Sequence, residues 1–517
     1  MQVPEWMTNA PTPFTSVLVA NRGEIAIRIL KAIRECGLVG IGIHNDLDSN
    51  SMHLDYADKI VHIPGEDLAS TYLSSQAIIH AARSMGADAI HPGYGFLSER
   101  ADFAEEVIES GLIWIGPPPD AIRVMGDKIS ARESMIQASV PVIPGKSIDV
   151  KEGEDPLPQL AAAAAQVGYP LLLKASAGGG GKGMRAVKEP KLLRMEYEAA
   201  SREATAAFGD GTVYVESLLS GARHIEIQIF ADSHGNIIHL NERDCSLQRR
   251  HQKVIEEAPS PAMNTDLRKR MGNAAIDAAR AVNYEGAGTV EFLLSSNNDF
   301  FFLEMNTRLQ VEHPVTELIT GLDLVHMQLR VASGQELQIG QDEVGITGHS
   351  IEARLYAEDP SIGFLPSIGM IAKFQTPQGP GIRIDSGIRE GDHVTTSFDP
   401  MLAKLIVHAP DRLSAIRRLD HVLSKTVLHG VKSNIDFCRE ILSTDVFREK
   451  GVTTNYLDDG YHSHQTNKPT DATLVIVASA ADKFGLQRTQ SASNSKTTMS
   501  HSGHVQDPFL TLSKKFP

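Results

Sequence analysis

Cysteine is scarce in this chain of 517 residues: Cys36, Cys245 and Cys438 stand far apart, in neither a disulfide framework nor a paired zinc spacing, which points to a reducing compartment. Long hydrophobic runs are missing as well. No apolar stretch approaches the roughly 18 to 20 residues that a membrane-spanning helix needs, so no membrane partner is expected. Positive charge is in deficit, since 49 Lys and Arg against 64 Asp and Glu leave a net −15. That excludes a general nucleic-acid binder and means that an anionic ligand requires a local pocket. The first fifteen residues, MQVPEWMTNAPTPFT, hold one acid and no Lys or Arg, so they read neither as a signal peptide nor as an Arg-rich transit peptide. The expected location is cytoplasmic, with an organelle compatible too.

What is present is 42% hydrophobic and 22% charged residues, the balance of a large enzyme with room for about two to four domains. From Ser16, SVLVA reads as a buried strand, NRGE as a tight loop, and IAIRILKAIRECG as a helix with apolar residues at helical spacing and Gly37 at its end. VGIGIHND, QAIIHAARSMG, DAIHPGYG, ADFAEEVIESG and LIWIGP continue the alternation. A doubly wound α/β domain is therefore predicted over 15–120, behind an N-terminal extension, 1–14. Its ligand side belongs where the strands' carboxyl ends meet the loops.

After IGPPPD a helix begins near Ala121, and 121–330 is read as two parts. The first is a small α+β unit with QLAAAAAQVG, YPLLLKAS, MRAV and TVYVES. The second alternates the strands HIEIQIF, NIIHLNE, GTVEFLL and DFFFLEMN around a helix near 266–282. A last mixed unit, 345–460, contains HSIEARLYAED, MIAKFQT, MLAKLIVHA and two amphipathic helices. Beyond Gln465 the Ser/Thr/Asn-rich composition predicts a disordered tail, 466–517.

The stretch KASAGGGGKGMRAV places four consecutive glycines, Gly178, Gly179, Gly180 and Gly181, between two apolar strands. Ordering so much glycine is entropically costly unless something must approach the main chain closely or the segment must hinge. A Walker A loop needs Ser or Thr after its GK, and Lys182 is followed by Gly183. The dinucleotide fingerprint is formally met by Gly178, Gly180 and Gly183, yet strand-like MRAV follows instead of a helix. Two readings remain: a flap whose amides close over a polyphosphate while Lys174 reaches up from beneath, or a flexible surface linker.

In GTVEFLLSSNNDFFFLEMNTRLQVEHP, Glu291 and Glu304 each sit among apolar strand neighbours, where a carboxylate is costly unless paired or bound to a metal. If the segment stays extended, Glu304, Asn306, Arg308, Gln310 and Glu312 share one face. Glu291, Glu304 and Asn306 are oxygen donors that suit Mg²⁺; the competing reading is a solvated face with Glu304 paired to Arg308. ERDCSLQRRHQKVIEEAP gathers Arg243, Arg249, Arg250, His251 and Lys253 near Gln248, either as anion ligands or as a charged loop balanced by Glu256 and Glu257. Arg354 in HSIEARLYAED is likewise an ion-pair partner or an anion ligand, and His224 reads by default as an edge-strand histidine.

These motifs, in this order, make the chain resemble the biotin carboxylases of the ATP-grasp superfamily, the component shared by acetyl-, propionyl-, methylcrotonyl-CoA and pyruvate carboxylases. ANRGEIAIRI, HPGYGFLSE, MGDK, KASAGGGGKGM, ERDCSLQRRHQKVIEEAP, FLEMNTRLQVEHPVTE and RLYAEDP carry the resemblance over about 15–460. It implies an α/β and α+β fold: an N-terminal doubly wound (pre-ATP-grasp) domain, a central ATP-grasp domain with a mobile lid at about 141–215, and a C-terminal mixed α/β domain completing the site.

The resemblance also implies roles. Lys128 and Lys174 meet the ATP phosphates, under a lid carrying Gly178, Gly179, Gly180, Gly181, Lys182, Gly183 and Met184. Glu216, His224 and Gln248 lie on the nucleotide and His251 on its phosphate side. Glu291, Glu304 and Asn306 hold Mg²⁺ or Mn²⁺; Lys253, Arg308, Gln310 and Val311 surround bicarbonate; Glu312 is the general base, and Arg354 steadies the biotin enolate. Ser217 stands where relatives often carry lysine, which leaves the adenine-side contact to the backbone. The implied activity is ATP- and bicarbonate-dependent carboxylation of biotin through carboxyphosphate.

Neither an Ala-Met-Lys-Met-like stretch nor a carboxyltransferase region is found in the sequence. A component acting on biotin held in trans by a biotinylated carrier protein is therefore expected, alongside a carboxyltransferase component, with a homodimer compatible. The rival functions are another ATP-grasp ligase, carbamoyl-phosphate-forming or carboxylate-amine, and a noncatalytic nucleotide-binding subunit. The first would lack the RLYAEDP arginine and the QVEHP base, the second an intact set of catalytic residues.

Overall fold

The computed structural model describes residues 3–148, 154–175, 184–250 and 252–458. The expected flap glycines Gly178 to Gly183, Lys182, His251 and the tail over 466–517 lie outside the described residues.

The strand Ser16–Val19 is buried along its whole length, as expected of a parallel strand covered on both faces. Val39–His44 and Lys59–His62 follow on one side of it and Ala89–His91 and Ile113–Trp114 on the other, all parallel, in a five-stranded sheet. Val17 and Val19 pack with Ile29 and Ile33 of the helix Gly23–Glu35. Leu18 turns the other way, to Ile78 and Ala82 of Ser75–Met85 and Phe103 and Val107 of Ala101–Glu109. Strand order reverses between Ser16–Val19 and Ala89–His91, so the loops carrying Arg22 and Tyr94 flank the crevice where an open α/β sheet binds its ligand. Lys59–His62 escaped the sequence reading because it is an edge strand, exposed at Lys59, Ile60 and His62, with no apolar alternation to reveal it.

In place of one helix near Ala121 there are two, Pro119–Gly126 and Lys128–Gln137. The break is Asp127, whose side chain caps the second helix by accepting from the Ser130 amide at 2.8 Å. A four-stranded antiparallel sheet follows, in the order Gly145–Ser147, Val213–Ser217, Leu171–Ala175, Met184–Val187. Its core of Leu171, Leu173, Val187, Val213 and Val215 is closed by Leu160 and Ala163 of Leu157–Val167 and by Leu193 and Ala200 of Leu193–Phe208.

Of the remaining strands, six short ones pair off in three two-stranded sheets and eight form one antiparallel sheet. Its order is Phe300–Asn306, Gly286–Leu294, Arg223–Ala231, Ile237–Arg249, Gln252–Ala258, His349–Tyr356, Met401–Ala409, Ile382–Ser386. The sequence reading placed a unit boundary near 345, yet Gln252–Ala258 pairs directly with His349–Tyr356 and the sheet runs through it. Ile237–Arg249 and Gln252–Ala258, which carry most of ERDCSLQRRHQKVIEEAP, are paired antiparallel strands with Gln248 opposite Lys253. The helix Thr265–Ala281 lays Leu267, Met271 and Ala275 on Ile225, Ile227 and Ile229. Three helices, not two, finish the described chain: Arg412–Lys425, Ile435–Ser443 and Asp445–Lys450.

The eight-stranded sheet reaches the crevice of the first. A Cβ on Gly387 would lie 2.6 Å from the Glu24 amide nitrogen, so only glycine lets the turn after Ile382–Ser386 seat on the amino end of Gly23–Glu35. Among the described residues no helix is long and apolar enough to cross a membrane.

Candidate active site

Strand register sets a row of ionisable side chains across the large sheet. Glu304 lies opposite Glu291, Glu291 opposite Glu226, and Glu226 opposite Arg243, each from a neighbouring strand. Cross-strand partners share a face, so the row is a property of the register. Arg243 is fully buried and gives its Nε to Glu226, its Nη1 to Gln228 Oε1 at 2.8 Å and Thr316 Oγ1 at 3.0 Å, and its Nη2 to Thr289 Oγ1 at 3.1 Å. A buried guanidinium holds its place only when its donors are used in this way.

At the centre, Lys253 Nζ donates to three carboxylates: Glu226 Oε2 at 2.6 Å, Glu312 Oε1 at 2.6 Å and Glu291 Oε1 at 2.9 Å. Glu312, 0% exposed, also accepts from Arg354 Nη2 at 2.9 Å, while Arg354 Nε donates to Glu256 Oε1 at 2.5 Å. Burial alone would raise the Glu312 carboxyl, but Lys253, Arg354 and Arg243 outweigh it and hold the group well below the usual carboxylate range. Burial would likewise lower the Lys253 ammonium, yet Glu226, Glu291 and Glu312 raise it well above an ordinary lysine. His224 Nε2 lies 3.0 Å from Glu291 Oε2, whose charge raises the imidazole against the opposing effect of burial. The expectation of an edge-strand histidine is corrected, because Arg223–Ala231 is an interior strand with a neighbour on each side.

The extended segment foreseen from Glu304 to Glu312 ends at Asn306. The chain then turns into the helix His313–Thr320, so the alternation argument fails beyond Asn306, although the turn still gathers the same side chains. Arg308 donates to Asn306 Oδ1 and Gln310 Oε1, both at 3.0 Å, and the Asn306 amide donates to Glu291 Oε1 at 2.9 Å. The pairing of Arg308 with Glu304 is not found; its partner is Glu99 Oε2 at 2.9 Å, from the first domain. The Val311 carbonyl accepts from Lys404 Nζ at 2.9 Å.

On the four-stranded sheet, buried Lys174 lies 3.6 Å from Glu216 Oε2, with Met184 opposite it in register. Lys128, at the start of its helix, donates to the Ala175 carbonyl at 3.4 Å, and burial and the nearby Lys174 charge lower its ammonium. Burial, and then the charge of Glu291, raise the Glu304 carboxyl, which the Lys174 and Lys128 charges only partly offset. Two opposed carboxyl groups that repel one another, with the Asn306 side-chain amide beside them, are an oxygen donor set that fits a hard divalent cation, which would relieve the repulsion.

The balance imagined for the basic cluster is also revised. Arg249 pairs with Glu358 at 3.1 Å, Glu257 with Arg412 and His349, and Glu256 with Arg354. Sequence reasoning passed over Glu226, Gln228, Glu99 and Lys404. Glu226 carried the signal used for Glu291, an acid inside the apolar strand HIEIQIF, whereas Glu99 and Lys404 reach the site only through long-range packing.

The family description "Biotin carboxylase, N-terminal domain" matches residues 13–122, "Carbamoyl-phosphate synthase L chain, ATP binding domain" residues 127–340, and "Biotin carboxylase C-terminal domain" residues 352–459. The chain is 49% identical over 447 residues to the mitochondrial methylcrotonoyl-CoA carboxylase subunit alpha of Dictyostelium discoideum, covering 86% of this chain and 63% of that one. It is 47% identical over 446 residues to the biotin carboxylase of a Nostoc species, covering 86% of this chain and 99% of that one. Among solved structures, a Campylobacter jejuni biotin carboxylase–β-γ-ATP complex superposes with a TM-score of 0.83 at 44% identity, covering 86% of this chain and 99% of that one. A biotin carboxylase domain dimer of the Hydrogenobacter thermophilus 2-oxoglutarate carboxylase, with MgADP, ADP and bicarbonate, superposes with a TM-score of 0.83 at 42% identity, covering 87% and 99%.

Proposed function

The chain belongs to the biotin carboxylase family, and we propose that its row of buried charges is where ATP and bicarbonate carboxylate biotin presented by a separate carrier protein. It is an ATP-dependent carboxylase of the ligase class. The observation that carries the reading is Glu312, a buried carboxylate held between Lys253 at 2.6 Å and Arg354 at 2.9 Å.

In this reading Lys128 and Lys174 meet the polyphosphate. Glu291, Glu304 and Asn306 would hold Mg²⁺, or Mn²⁺ in its place, which supplies neutralisation of phosphate charge when bound. Lys253, Arg308, Gln310 and the Val311 backbone form the bicarbonate pocket. Glu312 takes the bicarbonate proton while a bicarbonate oxygen bonds to the γ-phosphorus and the bond to ADP breaks, giving carboxyphosphate. A carboxylate held as low as Glu312 is a weak proton acceptor. An arriving anion that draws the Lys253 donors to itself relaxes that hold, so bicarbonate binding and base strength are coupled. Arg354, one bond from the same carboxylate, serves the biotin side.

The regions 15–120, 121–330 and 345–460 act together in this proposal, the last two through their common sheet. The biotinylated carrier, a carboxyltransferase component that consumes its carboxylated form, a homodimer and a cytoplasmic setting suited to three free thiols belong to the same reading. The test is ADP release with bicarbonate, with and without free biotin. Biotin stimulation is expected; its absence in a folded, ATP-cleaving protein points to another ligase and overturns the reading.

A further inference from the structure

Beside Arg354 lie two carboxyl groups that the scheme above leaves unused. Glu256 on Gln252–Ala258 and Glu352 on His349–Tyr356 are opposite one another in register, and both are 0% exposed. Glu256 Oε1 accepts from Arg354 Nε, but Glu256 Oε2 and both oxygens of Glu352 have no hydrogen-bond partner among the described residues. An ionised carboxylate buried without a partner is among the costliest groups a protein can hold, and two such charges facing one another would repel. The pair therefore carries a single negative charge. That charge belongs on Glu256, which has the guanidinium, and the proton belongs on Glu352.

We propose that Glu256 is the positioning residue of Arg354, its single charge clamping the guanidinium against Glu312, and that Glu352 is a protonated neighbour that leaves the pair with that one charge. The inference rests on the reading of Arg354 as the biotin-side group. Glu256 is faced by Arg354, Glu352 and Tyr356 from one neighbouring strand, by Glu312 from the turn before His313–Thr320, and by Lys253 on its own strand. Cys245 and Cys438 approach it from Ile237–Arg249 and Ile435–Ser443, and Lys404 on Met401–Ala409 faces Glu352. Burial, with Glu312 adding to it, pushes the Glu256 carboxyl up to about 7 against the pull of Arg354, and burial drives Glu352 well above the carboxylate range. The clamp is thus charged above about 7 and lost as pH falls through that value.

The experiment measures, on the full chain with free biotin, the ratio of biotin carboxylation to bicarbonate-dependent ATP cleavage between about pH 6 and about pH 8. The parent ratio is expected to fall at least about fivefold toward the acid end. Glu256→Gln, which keeps the shape and removes the charge, should show a ratio roughly tenfold lower with no acid limb, ATP cleavage itself falling by a much smaller factor. Glu352→Gln mimics the neutral acid and should keep the parent midpoint. A flat parent profile, or a Glu256→Gln ratio that retains the limb, overturns the positioning role. A Glu352→Gln midpoint lower by about one unit or more shows that Glu352 carries charge and overturns the one-proton pair. A parent that cleaves ATP without ever carboxylating biotin overturns the functional reading and this proposal together, whereas the outcomes above overturn only the proposal. The parent's own profile needs no variant, so the test stands even if Glu256→Gln fails to fold.

Discussion

The five-stranded parallel sheet is covered by apolar side chains on both faces, whereas the eight-stranded antiparallel sheet, apolar under the helix Thr265–Ala281, also buries a row of charges. Around Ser16–Val19 the buried neighbours are Ile25, Ile29, Ile41, Ile90, Phe103 and their like, and the contribution of each scales with the apolar area it removes from water. Across the large sheet, Glu291, Glu226 and Arg243 of the row and the centre formed by Lys253, Glu312 and Arg354 are stable only because each of these charges has partners. The first interior can lose one group and shrink around the gap. The second cannot lose one without stranding another, which makes it a poor source of stability and a well-organised place to receive charged reactants.

The sharpest way to break this comparison is Arg243→Met, which fills the space yet takes from buried Glu226 Oε1 its guanidinium partner, leaving the carboxylate with Lys253 on its other oxygen. It should cost about 3–5 kcal/mol in denaturant unfolding, and a loss as small as that of an aliphatic trim would remove the contrast between the two sheets. Next, Arg354→Ala should reduce carboxylation of free biotin by about 100-fold or more in steady-state assays, with bicarbonate-dependent ATP cleavage much less affected. On the other sheet, Ile41→Val removes one buried methyl group and should cost only about 0.5–1.5 kcal/mol, with catalytic constants per folded molecule unchanged.

The smallest effect concerns pH. His53 and His91 in the first domain are buried neutral, each pushed down to about 4 by loss of solvent. The unfolded chain binds their protons near 6.5 and the folded one only near 4, so stability is full above 6.5 and is lost as pH falls from 6.5 toward 4. Near pH 6 the loss should be about 1 kcal/mol per histidine, and His91→Gln should make the melting temperature less steep in that window.

The first domain was largely legible because parallel strands and crossover helices announce themselves in local apolar spacing; the exposed edge Lys59–His62 and the short helix Met52–Tyr56 were hidden. The charged sheet was legible in its acids, since Glu291 and Glu304 stand out among apolar strand neighbours, but not in its pairings. Arg308 finds Glu99 from another domain, and the turn after Asn306 replaces the extended run that alternation suggested.

The order of elements and the presence of acids and bases within apolar strands were determined by the sequence alone, because side-chain periodicity is a local property of backbone geometry. Which base meets which acid was decided only by the tertiary structure. Lys253 touches carboxylates from two other strands and a turn, Arg354 is shared between Glu256 and Glu312, and one sheet runs through an expected boundary. Such contacts depend on strand register between distant segments, and neighbouring residues carry no information about that register until the chain has closed on itself.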